Sequence, residues 1–178
     1  MNYHNLTYPD MNNGEGLRVV LWLSGCSHKC KGCQNTQTWD ANSGILFDEV
    51  AKEELFRELN KEYISGLTLS GGDPLFENNL DDVLNLVNEI RISCPQKSIW
   101  IYSGYTINEI FPIEIEDSAK MENIIKRQQI IKQCDVLVDG RYIDSMRDIS
   151  LKWRGSANQR VINIQESLRR NKLVLYCE

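Results

Sequence analysis

A chain of 178 residues has the length of one domain and can bury a hydrophobic core without covalent cross-links. Its 42% hydrophobic and 25% charged residues exclude disorder, and a formal charge of -5 excludes a whole-protein attraction to nucleic acid or to an anionic membrane. The first thirty residues lack a secretory pattern and no eighteen-residue apolar run occurs, so a cytoplasmic protein is expected, in which six cysteines point to metal binding or catalysis rather than to disulfides.

In chain order, the first expected strand is "LRVVLWL", Leu17 to Leu23, apolar and β-branched. A polar segment, "SGCSHKCKGCQN" at 24–35, follows at once. Asp48 then caps an expected helix with Val50, Leu55, Phe56 and Leu59 on one face. A second strand, Gly66 to Ser70, runs into "GGDP", and a second helix carries Leu80, Val83, Leu84, Val87 and Ile90 at helical spacing. Strands from Ser98 to Ser103 and from Asp135 to Asp139 flank a third helix, capped by Ser118, whose apolar face holds Met121, Ile124, Ile125 and Ile131. The last stretch, "INIQESLRRNKLVLYCE", is expected to give a short helix and a final strand.

Strands alternating with helices predict an α/β fold with a mainly parallel sheet and right-handed crossovers, and 1–178 reads as a single domain without repeat or linker. A closed eight-fold barrel takes about 250 residues, so the expectation is a partial, open (β/α) barrel. In such sheets ligands bind beyond the carboxyl ends of the strands. All four expected strands end in polar or glycine-bearing turns: the cysteine segment, "GGDP", "GY" and "GRY".

Within the first of these turns, Cys26, Cys30 and Cys33 are separated by gaps of three and two residues. One loop can therefore wrap three thiolates around a single centre, with Gly25 and Gly32 giving the curvature. Two chemistries fit. With His28 as a fourth ligand the loop makes a closed, structural zinc site. Without it, three cysteines on a cubane iron-sulfur cluster leave one iron without a protein ligand. Structural zinc loops usually draw paired ligands from two separate places, and no second pair of cysteines two residues apart occurs, which favours the open iron. Cys94, Cys134 and Cys177 lie far from the loop and read as plain thiols.

This spacing after a first strand, with "GGDP" after a second, resembles the radical S-adenosylmethionine enzymes. From Met1 to about Val161, the ordered segments "MNYHNLTYPD", "NGEGLRVVLWLSGCSHKCKGCQNTQTWDANSG", "LTLSGGDPL", "IWIYSGY", "DVLVDGRY" and "WRGSANQRV" are similar, within that superfamily, to the glycyl-radical activases of anaerobic ribonucleoside-triphosphate reductase. The resemblance implies a radical SAM type of fold in which Cys26, Cys30 and Cys33 hold a 4Fe-4S cluster. Its free iron would chelate the amino and carboxylate groups of S-adenosyl-L-methionine. Reductive cleavage to methionine and a 5'-deoxyadenosyl radical would then make a glycyl radical on the large catalytic subunit of the reductase. The implied partners are that subunit and an external one-electron donor such as flavodoxin, with no nucleic acid and no membrane. The alternatives are an activase of another glycyl-radical enzyme, of the pyruvate formate-lyase type, and a non-catalytic zinc-binding module.

Two glycines let the backbone of "GGDP" approach a ligand, and an acid beside them can accept from an ammonium group, although a plain strand-to-helix turn reads the same way. By the resemblance, Gly72 and Asp73 meet the methionyl amine, with Asp73 standing where many family members have Glu. The main chain at Gly32, Cys33 and Gln34 approaches the adenine. Many family members have an aromatic residue where this chain has Gly32, which leaves only main-chain contacts at that position.

Ser103 with Gly104 and Tyr105, and Asp139 with Gly140, read either as ribose or carboxylate contacts or as turn residues. Arg18, among apolar neighbours, needs an anion, either the cofactor carboxylate or a structural salt bridge. "WRGSANQRV", Trp153 to Val161, reads as a docking segment for the reductase or as a packed C-terminal loop. Residues 112–133 read as a helical insertion relative to the family. His4 and His28 lack the pairing of a general base with an orienting acid, and neither a P-loop nor a complete dinucleotide fingerprint occurs.

Overall fold

The computed structural model describes residues 1–114 and 120–177. Over these, apolar segments pair into an open seven-stranded sheet: β1 (Asn2–Asp10), β2 (Leu17–Leu23), β3 (Ile45–Leu46), β4 (Ile64–Gly71), β5 (Ser98–Tyr102), β6 (Val136–Asp139) and β7 (Arg160–Asn163). In space they run β3-β1-β2-β4-β5-β6-β7. The four strands expected from the sequence, β2, β4, β5 and β6, form a parallel centre. β1 and β7 flank it by antiparallel pairing, and β3 adds a two-residue edge. The expected α/β class and open sheet are therefore present, with antiparallel borders that the sequence reading lacks.

Helices α1 (Glu49–Leu59), α2 (Leu80–Ser93), α3 (Ile107–Ile110), α4 (Met121–Gln133) and α5 (Ile164–Arg170) all contribute to one core on one face of this sheet. Leu21, Leu69, Ile101, Leu137 and Ile162 form a row across five strands, each with no exposed surface. Leu55, Leu59, Val83, Val87, Ile130 and Ile131 join them from the helices. Each such side chain contributes about 1.5–3 kcal/mol by leaving water. The strand period of two sends the intervening residues to the other face. There Trp22 and Ser70 are neighbours, as are Tyr102, Val138 and Val161. A second cluster, Trp100, Val136, Val138 and Val161 with Trp153 and Tyr176, includes no helical residue.

Local signals place the helices. Asp48 accepts from the Ala51 amide (3.0 Å) at the start of α1, Thr106 and Glu109 form a reciprocal cap on α3, and Asn163 accepts from the Glu166 amide (3.0 Å) at α5. The expected third helix is α4, but its apolar stripe differs. Ile130, Ile131 and Arg127 are the buried residues, whereas Met121 and Ile125 are exposed. Ser118, the expected cap, lies outside the described residues. Of the segment read as an insertion, α4 belongs to the core. Among the described residues, no helix is long and apolar enough to cross a membrane.

Arg18 sits near the start of β2, at the opposite end of the strand from the cysteine loop, and is fully buried. Its guanidinium donates to Thr68 Oγ1 (2.6 Å), to the carbonyls of Leu67 (2.6 Å), Ser98 (3.1 Å) and Glu15 (3.1 Å), and to Ser98 Oγ (3.0 Å). Burial pulls its pKa down to about 10. In place of the salt bridge that was one reading of the sequence, neutral carbonyl and hydroxyl oxygens partner it among the described residues.

Candidate functional site

β2 ends at Leu23 and the chain curls at once into the cysteine loop. Gly25, Lys29 and Gly32 take left-handed backbone angles, φ 94°, 47° and 75°. The Cys33 amide donates to the Cys30 carbonyl (3.1 Å), and the Asn35 amide approaches Cys33 Sγ at 3.4 Å. A Cβ on Gly32 would lie 2.7 Å from the Asp144 carboxylate. That contact, added to the positive φ, explains glycine at a position where the resembled enzymes carry a ring.

The glycines of "GGDP" serve first to bring two loops together. Gly71 has φ 101°, and a Cβ there would meet the Leu23 backbone at 2.6 Å; a Cβ on Gly72 would meet the Gly25 carbonyl at 2.5 Å. The Gly72 amide donates to Leu23 O (2.7 Å) and the Asp73 amide to Gly25 O (2.8 Å), so the turn after β4 is bonded directly to the root of the cysteine loop.

Asp73 is 1% exposed, and its carboxylate gathers donors from three loops. It accepts from the Leu75 amide (2.8 Å), from Ser103 Oγ (2.9 and 3.0 Å) and from the Gly104 amide (3.0 Å), and it pairs with His28 Nε2 at 2.8 Å. The His28 ring stands edge-on to Tyr105, with centroids 4.6 Å apart, and its side chain is 5% exposed. A Cβ on Gly104 would fall 2.3 Å from that ring, so only glycine admits it. Arg127 backs Tyr105, 4.2 Å above its ring and 3.0 Å from its hydroxyl.

A cleft of about 510 Å³ opens at the carboxyl ends of the parallel strands. Cys26, Cys30, Cys33, Gln34, Gly72, Asp73 and Ser103 all line it, whereas Gly32 and Asp139 do not. Asp139 is 1% exposed and accepts from Arg160 Nε (3.0 Å), from a second Arg160 nitrogen and from the Ile107 amide (2.8 Å). It ties β6 to β7 and to the start of α3. Trp153 packs edge-on against Trp100 (4.9 Å) and Tyr176 (5.8 Å), and Ser156 is fully buried, so much of the segment read for docking faces inward. Tyr142, the end of the expected "GRY" turn, lines the cleft, and sequence reasoning missed Trp22 and Tyr102, which line it as well. Their only signal was period-two placement on strands.

Three thiols carried by one loop into one cleft are the all-sulfur donor set that an iron-sulfur cluster takes. His28, the remaining candidate ligand, spends Nε2 on Asp73, which leaves only Nδ1 for a metal. Among the described residues no three His, Cys, Asp or Glu side chains are gathered tightly enough to grip one ion. Burial pushes the Cys26 thiol up to about 11 and raises Cys30 as well, so both carry protons at neutral pH. Drawing the sulfurs together requires a metal charge that displaces those protons.

Residues 12–162 match the family described as a 4Fe-4S single cluster domain. The chain is 41% identical over 167 residues to the anaerobic ribonucleoside-triphosphate reductase-activating protein of Escherichia coli (strain K12), covering 93% of this chain and 100% of that protein. Its identity to the protein of the same name in Haemophilus influenzae is 41% over 162 residues, 89% of this chain and 96% of the other. With the one from Enterobacteria phage T4 it is 41% over 161 residues, 90% and 93% of the respective chains.

Proposed function

The chain belongs to the family of anaerobic ribonucleoside-triphosphate reductase-activating proteins, built on a 4Fe-4S single cluster domain, and from that premise we propose that it makes a glycyl radical on the large subunit of such a reductase. When bound, a 4Fe-4S cluster supplies one electron, at potentials that reach about -700 mV in this class of centre, to break the bond from sulfur to the 5' carbon of S-adenosyl-L-methionine, giving methionine and a 5'-deoxyadenosyl radical that takes hydrogen from the partner's glycine. The electron enters from an external one-electron donor such as flavodoxin.

Cys26, Cys30 and Cys33 would hold the cluster, supplying three thiolates and leaving one iron for the substrate. His28 pins the loop between the first two cysteines to Asp73. A carboxylate offers about four acceptor sites, and the four groups on Asp73 take them up. Asp73 therefore shapes the wall beside the cofactor amine, and Gly72 meets that amine through its main chain. Gln34 and the main chain at Cys33, which line the cleft, would meet the adenine; Gly32, outside the lining, serves the curvature of the loop. Ser103 and Asp139 act as positioning residues, the first through Asp73 and the second by joining β6 to β7. The walls keep water from a primary alkyl radical, which would otherwise react indiscriminately.

The observation that carries this reading is the placement of three cysteines from one loop on one cleft, with His28 Nε2 on Asp73. Anaerobic mixing of reduced, iron-loaded protein with S-adenosyl-L-methionine and the reductase should give a glycyl doublet by electron paramagnetic resonance. Pyruvate formate-lyase in place of the reductase should give none. A doublet with pyruvate formate-lyase alone contradicts the choice of partner.

A further inference from the structure

Two buried donors in the cleft have no acceptor in the protein. The Tyr102 hydroxyl and Arg154 Nε are both sealed from solvent and, among the described residues, neither finds a hydrogen-bond partner. Both residues line the cleft that holds the cysteines. Native proteins rarely leave such groups unpaired. Burial raises the pKa of the phenol, so it remains an O–H donor, and a guanidinium can only donate. Such a pair suits a ligand that brings acceptor oxygens.

Their position selects between the two reactants. The cysteine loop leaves β2, Tyr102 ends β5, and Arg154 lies in the connection from β6 to β7. In the spatial order β2-β4-β5-β6-β7, Tyr102 is two strands away from the cysteine loop and Arg154 at least three. At about 4.8 Å per strand, that is roughly 10 Å and 15 Å across the mouth. A cofactor held by its amine and carboxylate beside the cysteines, with its adenine at Gln34 and Cys33 on the same loop, would keep its acceptors on the β2 side. The donors, on the far side of the cleft, are then left to the other reactant. A glycine offers no side chain to hold, so its peptide groups are the handles available. Trp153, wedged against Trp100 and Tyr176, gives the same part of the cleft a rigid aromatic wall.

We propose that Tyr102 and Arg154 hold main-chain carbonyl oxygens of the glycine-bearing segment that the reductase brings to the cleft. This inference rests on the function proposed above. The Tyr102 hydroxyl and Arg154 Nε donate to the peptide and set the glycine Cα toward the cofactor side. Arg154 is steadied from its other end by the Gln159 carbonyl (3.4 Å).

The test uses the full chain with its cluster reconstituted, purified reductase and S-adenosyl-L-methionine, comparing Tyr102→Phe and Arg154→Lys with the parent. Tyr102→Phe should not lower the thermal midpoint, because its hydroxyl has no partner among the described residues, whereas Arg154→Lys also gives up the Gln159 carbonyl and is judged by the functional readouts alone. The ratio of glycyl spins to 5'-deoxyadenosine released should fall about fivefold to tenfold in each, the scale of one lost hydrogen bond. The reductase concentration for half-maximal activation should rise by a similar factor, while S-adenosyl-L-methionine affinity by equilibrium dialysis does not follow. A lowered thermal midpoint in Tyr102→Phe would reveal a structural partner and overturn the inference. So would cofactor affinity falling in step with spin yield, which gives the donors to the cofactor, or no change in any readout. Parent protein that releases no 5'-deoxyadenosine overturns the proposed function itself, and this inference with it.

Discussion

At the scale of single residues, His28 separates two chemistries that the cysteine spacing leaves open. Its Nε2 meets Asp73, and Tyr105 and Gly104 close around the ring, so a zinc ligand here could use only Nδ1 and removal of the ring tells the two apart. His28→Ala should therefore keep about four irons per chain after anaerobic reconstitution, the content of a 4Fe-4S site. It should lower stability by about 1–3 kcal/mol, because a buried carboxylate loses one donor; iron analysis and thermal denaturation read the two effects. Metal content that collapses in this variant would return His28 to the ligand set. Cys33→Ala should lose the iron while its metal-free form melts with metal-free parent protein, since none of the three cysteines belongs to the hydrophobic core. The three cysteines were legible because their spacing is local. The knot at Asp73 was not, because His28, Ser103 and Gly104 reach it from 45, 30 and 31 residues away.

Among the elements, the central strands, α1 and α2 follow from patterns that a short window contains. β2 reproduces the expected Leu17 to Leu23, and α1 begins after Asp48 as its capping chemistry requires. β1 was hidden because it is a strand by pairing rather than by composition: in "NYHNLTYPD" only Tyr3 is buried. α4 misleads in the other direction. Arg127 takes a buried position by donating to the Leu75 carbonyl (2.9 Å) and the Tyr105 hydroxyl (3.0 Å), so the helix rotates away from the stripe that its isoleucines suggest. α5 gives a prediction of its own. Arg169, with Nε 2.8 Å from Glu166, and then Arg170 hold the Glu166 carboxylate down to about 2, from an ordinary 4.5. A lowered folded pKa adds stability above 4.5 that fades as the pH falls toward 2. Amide hydrogen exchange corrected for intrinsic rates should show α5 losing protection across that window. Added salt should shrink the effect, since these groups are exposed.

Across the whole molecule, one sheet does two jobs on its two faces. All five described helices bury a continuous aliphatic core against one face, and that core supplies the stability. The other face and the strand ends are left for a cleft whose walls are chosen for chemistry rather than packing: three thiols, an acid knot, and two donors without acceptors. The open α/β architecture was legible from alternating patterns along the chain. The antiparallel borders were not, because they depend on contacts between distant segments; the gathering of the four strand-end turns at one mouth was, because a parallel sheet puts them at one edge. The central claim is that one loop offers iron three sulfurs and no fourth ligand. Anaerobic iron and sulfide analysis, joined to an assay for 5'-deoxyadenosine, tests it most directly. The account predicts about four irons and four sulfides per chain and 5'-deoxyadenosine that appears only with reductant. One tightly held zinc, no iron and no cleavage of S-adenosyl-L-methionine would contradict it.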